Sequence, residues 1–171
     1  VKPSLLVLLG AVVGATPRPA GPPEPALHVR HDFTLTVPAP YARTFPLFGA
    51  DRERGWSPGW APLFVYPDPA ADTAGMVFTV RHEHLRSVWV NTAFDAGTGH
   101  VQYVSVIADA LVTVIDIHVR ALDAGHTGVT VSYERTALAP GAAEHVRALG
   151  DRDAASGPAW QEALSRYVTA R

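Results

Sequence analysis

Between Val101 and Thr136 apolar and polar residues alternate so regularly that few folds could accept the segment. It reads as three consecutive strands, VQYVSVIAD, LVTVIDIHVRAL and GVTVSYERT, separated by turn material. In the middle strand Leu111, Thr113, Ile115, Ile117 and Val119 share one side, while Asp116, His118 and Arg120 share the other. That is a period of two with one wet face. In the third strand Val129, Val131 and Tyr133 stand opposite Thr130, Ser132 and Glu134. An antiparallel meander of this kind has an apolar face that must be covered. The C-terminal segment offers the cover, because Trp160, Leu164, Tyr167 and Val168 fall at i, i+4, i+7 and i+8 of a helix. The expected class is α+β, a curved antiparallel sheet of about seven strands wrapped around a long C-terminal helix, with short helices after the first strand.

The chain has 171 residues, one domain's worth, and 47% of them are hydrophobic, enough for a sizeable core. Its 14 basic and 16 acidic residues create no overall field that would draw nucleic acid or an anionic membrane onto the surface. Nucleic acid is therefore not an expected partner, and a monomer is the default. The absence of cysteine excludes disulfides, thiolate catalysis and zinc sites built on sulfur. At the N-terminus Lys2 precedes the apolar run LLVLLGAVVGA, too short to span a bilayer and of the length of a signal-peptide core. Val13 and Ala15 occupy the −3 and −1 positions of a cleavage site, so residues 1–15 read as a signal peptide and 16–26 as a proline-rich linker. Periplasmic or secreted is the expected location; a retained anchor, or a cytoplasmic protein with a misassigned start, are the alternatives.

The body of the chain then runs from residue 27 to 171. A first strand, HVRHDFTLTV, ends at Pro38 and Pro40. YARTFPLF can form only a short helix, because Pro46 disturbs a longer one. In ERGWSPGWAPLFVYP, Pro58 and Gly59 are the residues wanted at the centre of a type II turn, flanked by Trp56 and Trp60, whose rings need burial. GMVFTVRHE and SVWVNTAFDA supply further strands before the meander. After Gly141 the composition turns helical. Gly157 and Pro158 suit the start of a last helix, leaving open one kinked helix or two short ones.

This order resembles the START-like or SRPBCC superfamily of helix-grip, Bet v 1-like domains. The resemblance rests on FPLF, the ER-x-W-x-P-G-W-x-P run from Glu53 to Pro62, Tyr66-Pro67, and W-x-x-x-L-x-x-Y from Trp160 to Tyr167. It is similar in particular to small bacterial members of the polyketide cyclase or lipid-transport-like kind. It implies a cavity between sheet and helix that binds a hydrophobic small molecule, lipid- or polyketide-like, without a cofactor. The candidate ligand-binding residues are Trp60, Phe78, Trp89, Asn91, Tyr103, Ile115, Ile117, Tyr133 and Trp160. Asn91, Tyr103 and Tyr133 would orient the ligand, and the alternative for each side chain is plain core. One fold hosts many functions, so two other readings stand beside the binder. A cofactor-independent cyclase or aromatase-like enzyme would use Tyr103, Tyr133, His82 or Arg135. An interaction module with a vestigial pocket would have a filled core.

His82 and His84 share a strand face, a spacing found in zinc and iron sites, but no complete ligand set can be read, so no metal site is assigned. Asp116, His118, Arg120 and Glu134 fall opposite the apolar face and are read as an exposed lattice of ion pairs. No nucleophile elbow, phosphate loop or dinucleotide fingerprint occurs.

Overall fold

The computed structural model describes residues 26–82 and 85–170. The signal-peptide reading and nearly all of the linker lie outside these residues, as do Glu83 and His84 of the suggested histidine cluster. Seven strands form one antiparallel sheet: β1 (His28–Val37), β2 (Leu63–Tyr66), β3 (Val77–His82), β4 (Leu85–Asp95), β5 (His100–Ile107), β6 (Leu111–Ala121) and β7 (Thr127–Ala137). Their order is β1-β7-β6-β5-β4-β3-β2, so the first strand closes against the last. The alternation read from the meander is the one observed. Leu111, Thr113, Ile115, Ile117 and Val119 are buried, whereas His118 and Arg120 are exposed.

Between β1 and β2 the chain crosses from one edge of the sheet to the other. It makes the single-turn helix α1 (Tyr41–Thr44) and two 3₁₀ turns, Phe45–Phe48 and Arg52–Gly55. Phe45 and Phe48 are buried, and Trp56 fixes the crossing by donating its indole N–H to the Leu47 carbonyl at 2.7 Å. The turn expected at Pro58-Gly59 forms. Trp60 N–H donates to the Ser57 carbonyl at 3.2 Å, and Gly59 takes φ +79°, which a side chain would resist.

The C-terminal segment is two helices, α2 (Ala143–Ala154) and α3 (Gly157–Thr169), not one long one. Pro158, in the first turn of α3, cannot supply the N–H that a continuous helix would need there. On α3, Leu164 and Val168 are buried against the core, and Trp160 packs edge-on to Phe33 of β1 with ring centroids 5.5 Å apart. Arg43 of α1 donates to the Val168 carbonyl and the Thr36 N–H of β1 donates to Gln161, so α3 is pinned to both elements. α2 rests on β1 and β7. With both helices seated toward that side, the concave face of β4, β5 and β6 is not filled, and space remains there.

Candidate functional site

That space is a cavity of about 560 Å³. β4 contributes Ser87 and Trp89, β5 Ser105, β6 Thr113 and Ile115, and β7 Tyr133 and Arg135, while His145, Leu149 and Arg152 of α2 form the opposite wall. A smaller chamber of about 60 Å³ lies deeper, lined by Glu53, Trp60, Phe78, Trp89, Tyr103, Ile115, Ile117, Tyr133 and Trp160. Trp60, Trp89, Ile115 and Tyr133 border both spaces.

Eight of the nine residues named from the sequence surround the inner chamber. For the six that lie on strands the alternation explains it, since inward positions of neighbouring strands meet on one face, while Trp60 comes from the turn before β2 and Trp160 from α3. The aromatic walls pack ring against ring. Phe78 and Trp89 stack with centroids 5.6 Å apart, Trp60 meets both edge-on at 5.8 and 5.4 Å, and Tyr103 meets both at 6.0 and 6.2 Å. Trp60 donates its indole N–H to the Ala50 carbonyl and Trp89 to the Ser87 hydroxyl, each at 2.7 Å.

Asn91, the ninth, lines neither space. It is fully buried, held by backbone bonds to Gly75 and Met76, and its amide atoms meet no hydrogen-bond partner among the described residues. Tyr103 is also less available than its sequence position suggests, because its hydroxyl donates to the Phe48 carbonyl at 2.9 Å. Burial, followed by the nearby Glu53 carboxyl, raises both the Tyr103 and the Tyr133 phenol above the ordinary range, so each keeps its proton. Arg135 is held by Asp153 of α2 through two hydrogen bonds of 2.5 and 2.8 Å and donates to Thr113 at 2.9 Å. It is a clamp between helix and sheet that also forms part of the cavity wall.

Glu53 is the group that the list of candidates left out. It sits in the 3₁₀ turn Arg52–Gly55 and reaches the inner chamber, where burial pushes its carboxyl up to about 8. The Ser57 hydroxyl works against that shift and the Asp72 carboxylate adds to it. At neutral pH the group is mostly a neutral acid, able to donate one hydrogen bond and accept others. The sequence marks Glu53 only as the first residue of the ER-x-W-x-P-G-W-x-P run; its approach to the chamber depends on the turn Arg52–Gly55, which no periodicity signals.

No protein-family model matches this sequence, and no curated protein matches it. Solved structures do match in shape. Truncated norcoclaurine synthase from Thalictrum flavum aligns with a TM-score of 0.64 at 14% identity, over 88% of this chain and 99% of that one. Ara h 8.0201 aligns with a TM-score of 0.60 at 18% identity, over 84% and 99%. A solution structure from Thermobifida fusca aligns with a TM-score of 0.59 at 19% identity, over 81% and 92%. Another structure of the Thalictrum synthase is a complex with dopamine and hydroxybenzaldehyde. Seven antiparallel strands closed around a C-terminal helical segment, shared with these proteins over most of their length, give this chain the Bet v 1-like helix-grip fold.

Proposed function

We propose that the chain binds a small, mostly apolar molecule between the sheet and the C-terminal helices. The body of the molecule occupies the outer cavity, and one uncharged polar group reaches the inner chamber. The observation that carries this reading is a cavity of about 560 Å³ backed by an aromatic chamber of about 60 Å³ that Glu53 lines. The larger volume falls within the roughly 300–1,000 Å³ usual for small-molecule sites. The smaller has room for a functional group or a water or two. A neutral Glu53 carboxyl suits a carbonyl or hydroxyl better than a carboxylate, with Tyr133 beside it as a second protonated group. Lipid-like and polyketide-like molecules both answer this description, and a protein of the same fold holds two small aromatic molecules.

A second reading rests on Glu53 itself. A carboxylic acid that keeps its proton near neutrality can act as a general acid toward a bound carbonyl compound, as a cyclase-like enzyme requires. The vestigial-pocket reading requires a filled core, and the cavity speaks against it.

Native mass spectrometry of protein made in a secreting bacterial host, without detergent, tests retention of a ligand. The same spectrum weighs the N-terminus, and a mass beginning at Thr16 would support export. Solvent-extracted protein can then be titrated with a fluorescent hydrophobic probe. Ser105, buried on β5 at the cavity wall, gives a blocking variant. Ser105→Phe is expected to weaken the probe about tenfold or more while the melt stays cooperative. Equal affinity in the blocked protein would place the probe elsewhere and sink the proposal. Glu53→Gln separates the two readings, since a binder keeps its affinity and an enzyme loses turnover.

A further inference from the structure

The outer face of the sheet carries a second cluster, assembled by strand register. His100 of β5 and His118 of β6 are directly opposite one another. The Val119 N–H donates to the Gly99 carbonyl at 2.8 Å, so by the alternation of an antiparallel ladder the adjacent His100–His118 pair exchanges no backbone hydrogen bond. Side chains stand closest at such pairs. The two rings are nearly parallel, with centroids 4.8 Å apart and planes 7° from one another. Asp116 lies two residues before His118 and therefore on the same face. Its Oδ1 is 2.7 Å from His100 Nε2 and 3.5 Å from His118 Nε2. All three donor atoms lie within 4.8 Å of one another. Ligands about 2.0–2.2 Å from a common ion stand roughly 3–3.5 Å apart, so the two separations from Oδ1 need little change, while the two imidazole nitrogens, up to 4.8 Å apart, must draw together by about an ångström through ring rotation.

The carboxylate is held in place. Gln102 donates from Nε2 to Asp116 Oδ2 at 3.2 Å, and its own Oε1 accepts from Thr92 Oγ1 at 2.8 Å. Oδ1 is thereby left to the histidines. Nearby Arg30 is engaged by Glu134 at 2.8 Å and by Asp32 at 3.3 Å. Asp32, Asp116 and Glu134 outnumber Arg30 and the exposed Arg120, two residues beyond His118, by one on this part of the face, a balance that leans toward a cation. The side chain of His118 is 63% exposed, so an ion from solution can reach it.

We propose that His100, His118 and Asp116 bind a divalent transition-metal ion, with Gln102 as the positioning residue. Two imidazoles and one carboxylate favour ions of the zinc, nickel and copper type over magnesium or calcium. Water completes the coordination on the exposed side. The ion ties β5 to β6 on the face opposite the inner chamber, which Ile117, between the two β6 ligands, lines from the other side.

Calorimetric titration of the full chain with zinc alone tests the site. One equivalent is expected to bind at micromolar concentration and to raise the melting temperature. Gln102→Ala is expected to weaken binding about 10- to 100-fold and to change the visible spectrum of bound cobalt(II), which a mere loss of stability leaves alone. His100→Ala and His118→Ala should each weaken it further than Gln102→Ala does. The double substitution of His82 and His84 by Ala should leave binding intact. No uptake at micromolar zinc, or uptake that survives His100→Ala and His118→Ala, overturns the proposal. His118 is exposed, so its variant folds, and an unchanged melt without zinc confirms that the comparison is sound.

Discussion

A carboxyl group facing an aromatic chamber lowers its energy most simply by keeping its proton, and Glu53 does so up to about pH 8. The consequence for stability has a definite sign. Between the ordinary carboxyl value of 4.5 and about 8, the folded chain retains a proton that the unfolded chain releases. Stability from this group is therefore greatest below the lower value, falls as pH rises through the window, and levels off above it. At about 1.36 kcal/mol per pK unit the penalty at pH 8 is a few kcal/mol, reduced by any water that enters the cavity. Glu53→Gln is expected to leave stability nearly unchanged at pH 4.5 and to raise it at pH 8. Urea unfolding of both proteins across that range checks it, and parallel stability curves would refute a buried acid. The residue illustrates what a sequence pattern carries and what it does not. Strand parity brought Trp60's neighbours Phe78, Trp89, Tyr103 and Ile115 to one chamber, because alternation fixes the face of a side chain. It does not fix depth along the strand, which is why Asn91, on the same side as Trp89, ends in sealed core. His100 carries no signal of its own in the sequence, since its meeting with Asp116 and His118 depends on register between strands.

Among the elements, α2 has the smaller claim on the core and the larger one on the cavity. Its fully buried apolar residue is Val146, which packs in a satellite cluster with Leu111 and Ala137, while His145, Leu149 and Arg152 face the open space. The helix is tied to the sheet instead by Asp153, 6% exposed, gripping Arg135 of β7. Removing one member of such a pair leaves the other charge without its partner, which costs about 3–5 kcal/mol when no water can reach it. Arg135 borders the cavity, so the lower end applies. Asp153→Ala is expected to cost about 3 kcal/mol in denaturant unfolding. It should also free the guanidinium to meet anionic probes that the parent ignores; a variant as stable as the parent would mean that α2 is held by its apolar contacts alone. The break before α3 was legible from Gly157-Pro158. The pair itself was not, because Asp153 and Arg135 come from elements whose relative placement no periodicity encodes.

For the whole molecule, the decisive fact is that β1 and β7, the first and last strands, are neighbours, and α3 packs on β1 to cover the seam's inner side. The sheet is complete only when both ends of the domain are in place. Gly157 touches the Phe33 ring closely enough that a Cβ would lie 3.3 Å from it, and Trp160 bridges Phe33, Tyr133 and Trp56. Leu164 and Val168 extend the same contact into the main core. Loss of a buried leucine alone costs about 2–5 kcal/mol and of a fully buried tryptophan about 3–5, with the half-buried Trp160 toward the lower end. Together these approach the roughly 5–15 kcal/mol that holds a domain folded. Deleting Trp160 to Arg171 is therefore expected to abolish the cooperative thermal transition, whereas Leu164→Ala should keep it and lower stability by about 3 kcal/mol. The two variants have to be measured together. A truncated chain that still melts cooperatively at the parent's temperature would mean that the strands and α2 close the core unaided. The terminal helix would then be a cover for the ligand chamber, and its removal would show in ligand retention before it showed in folding.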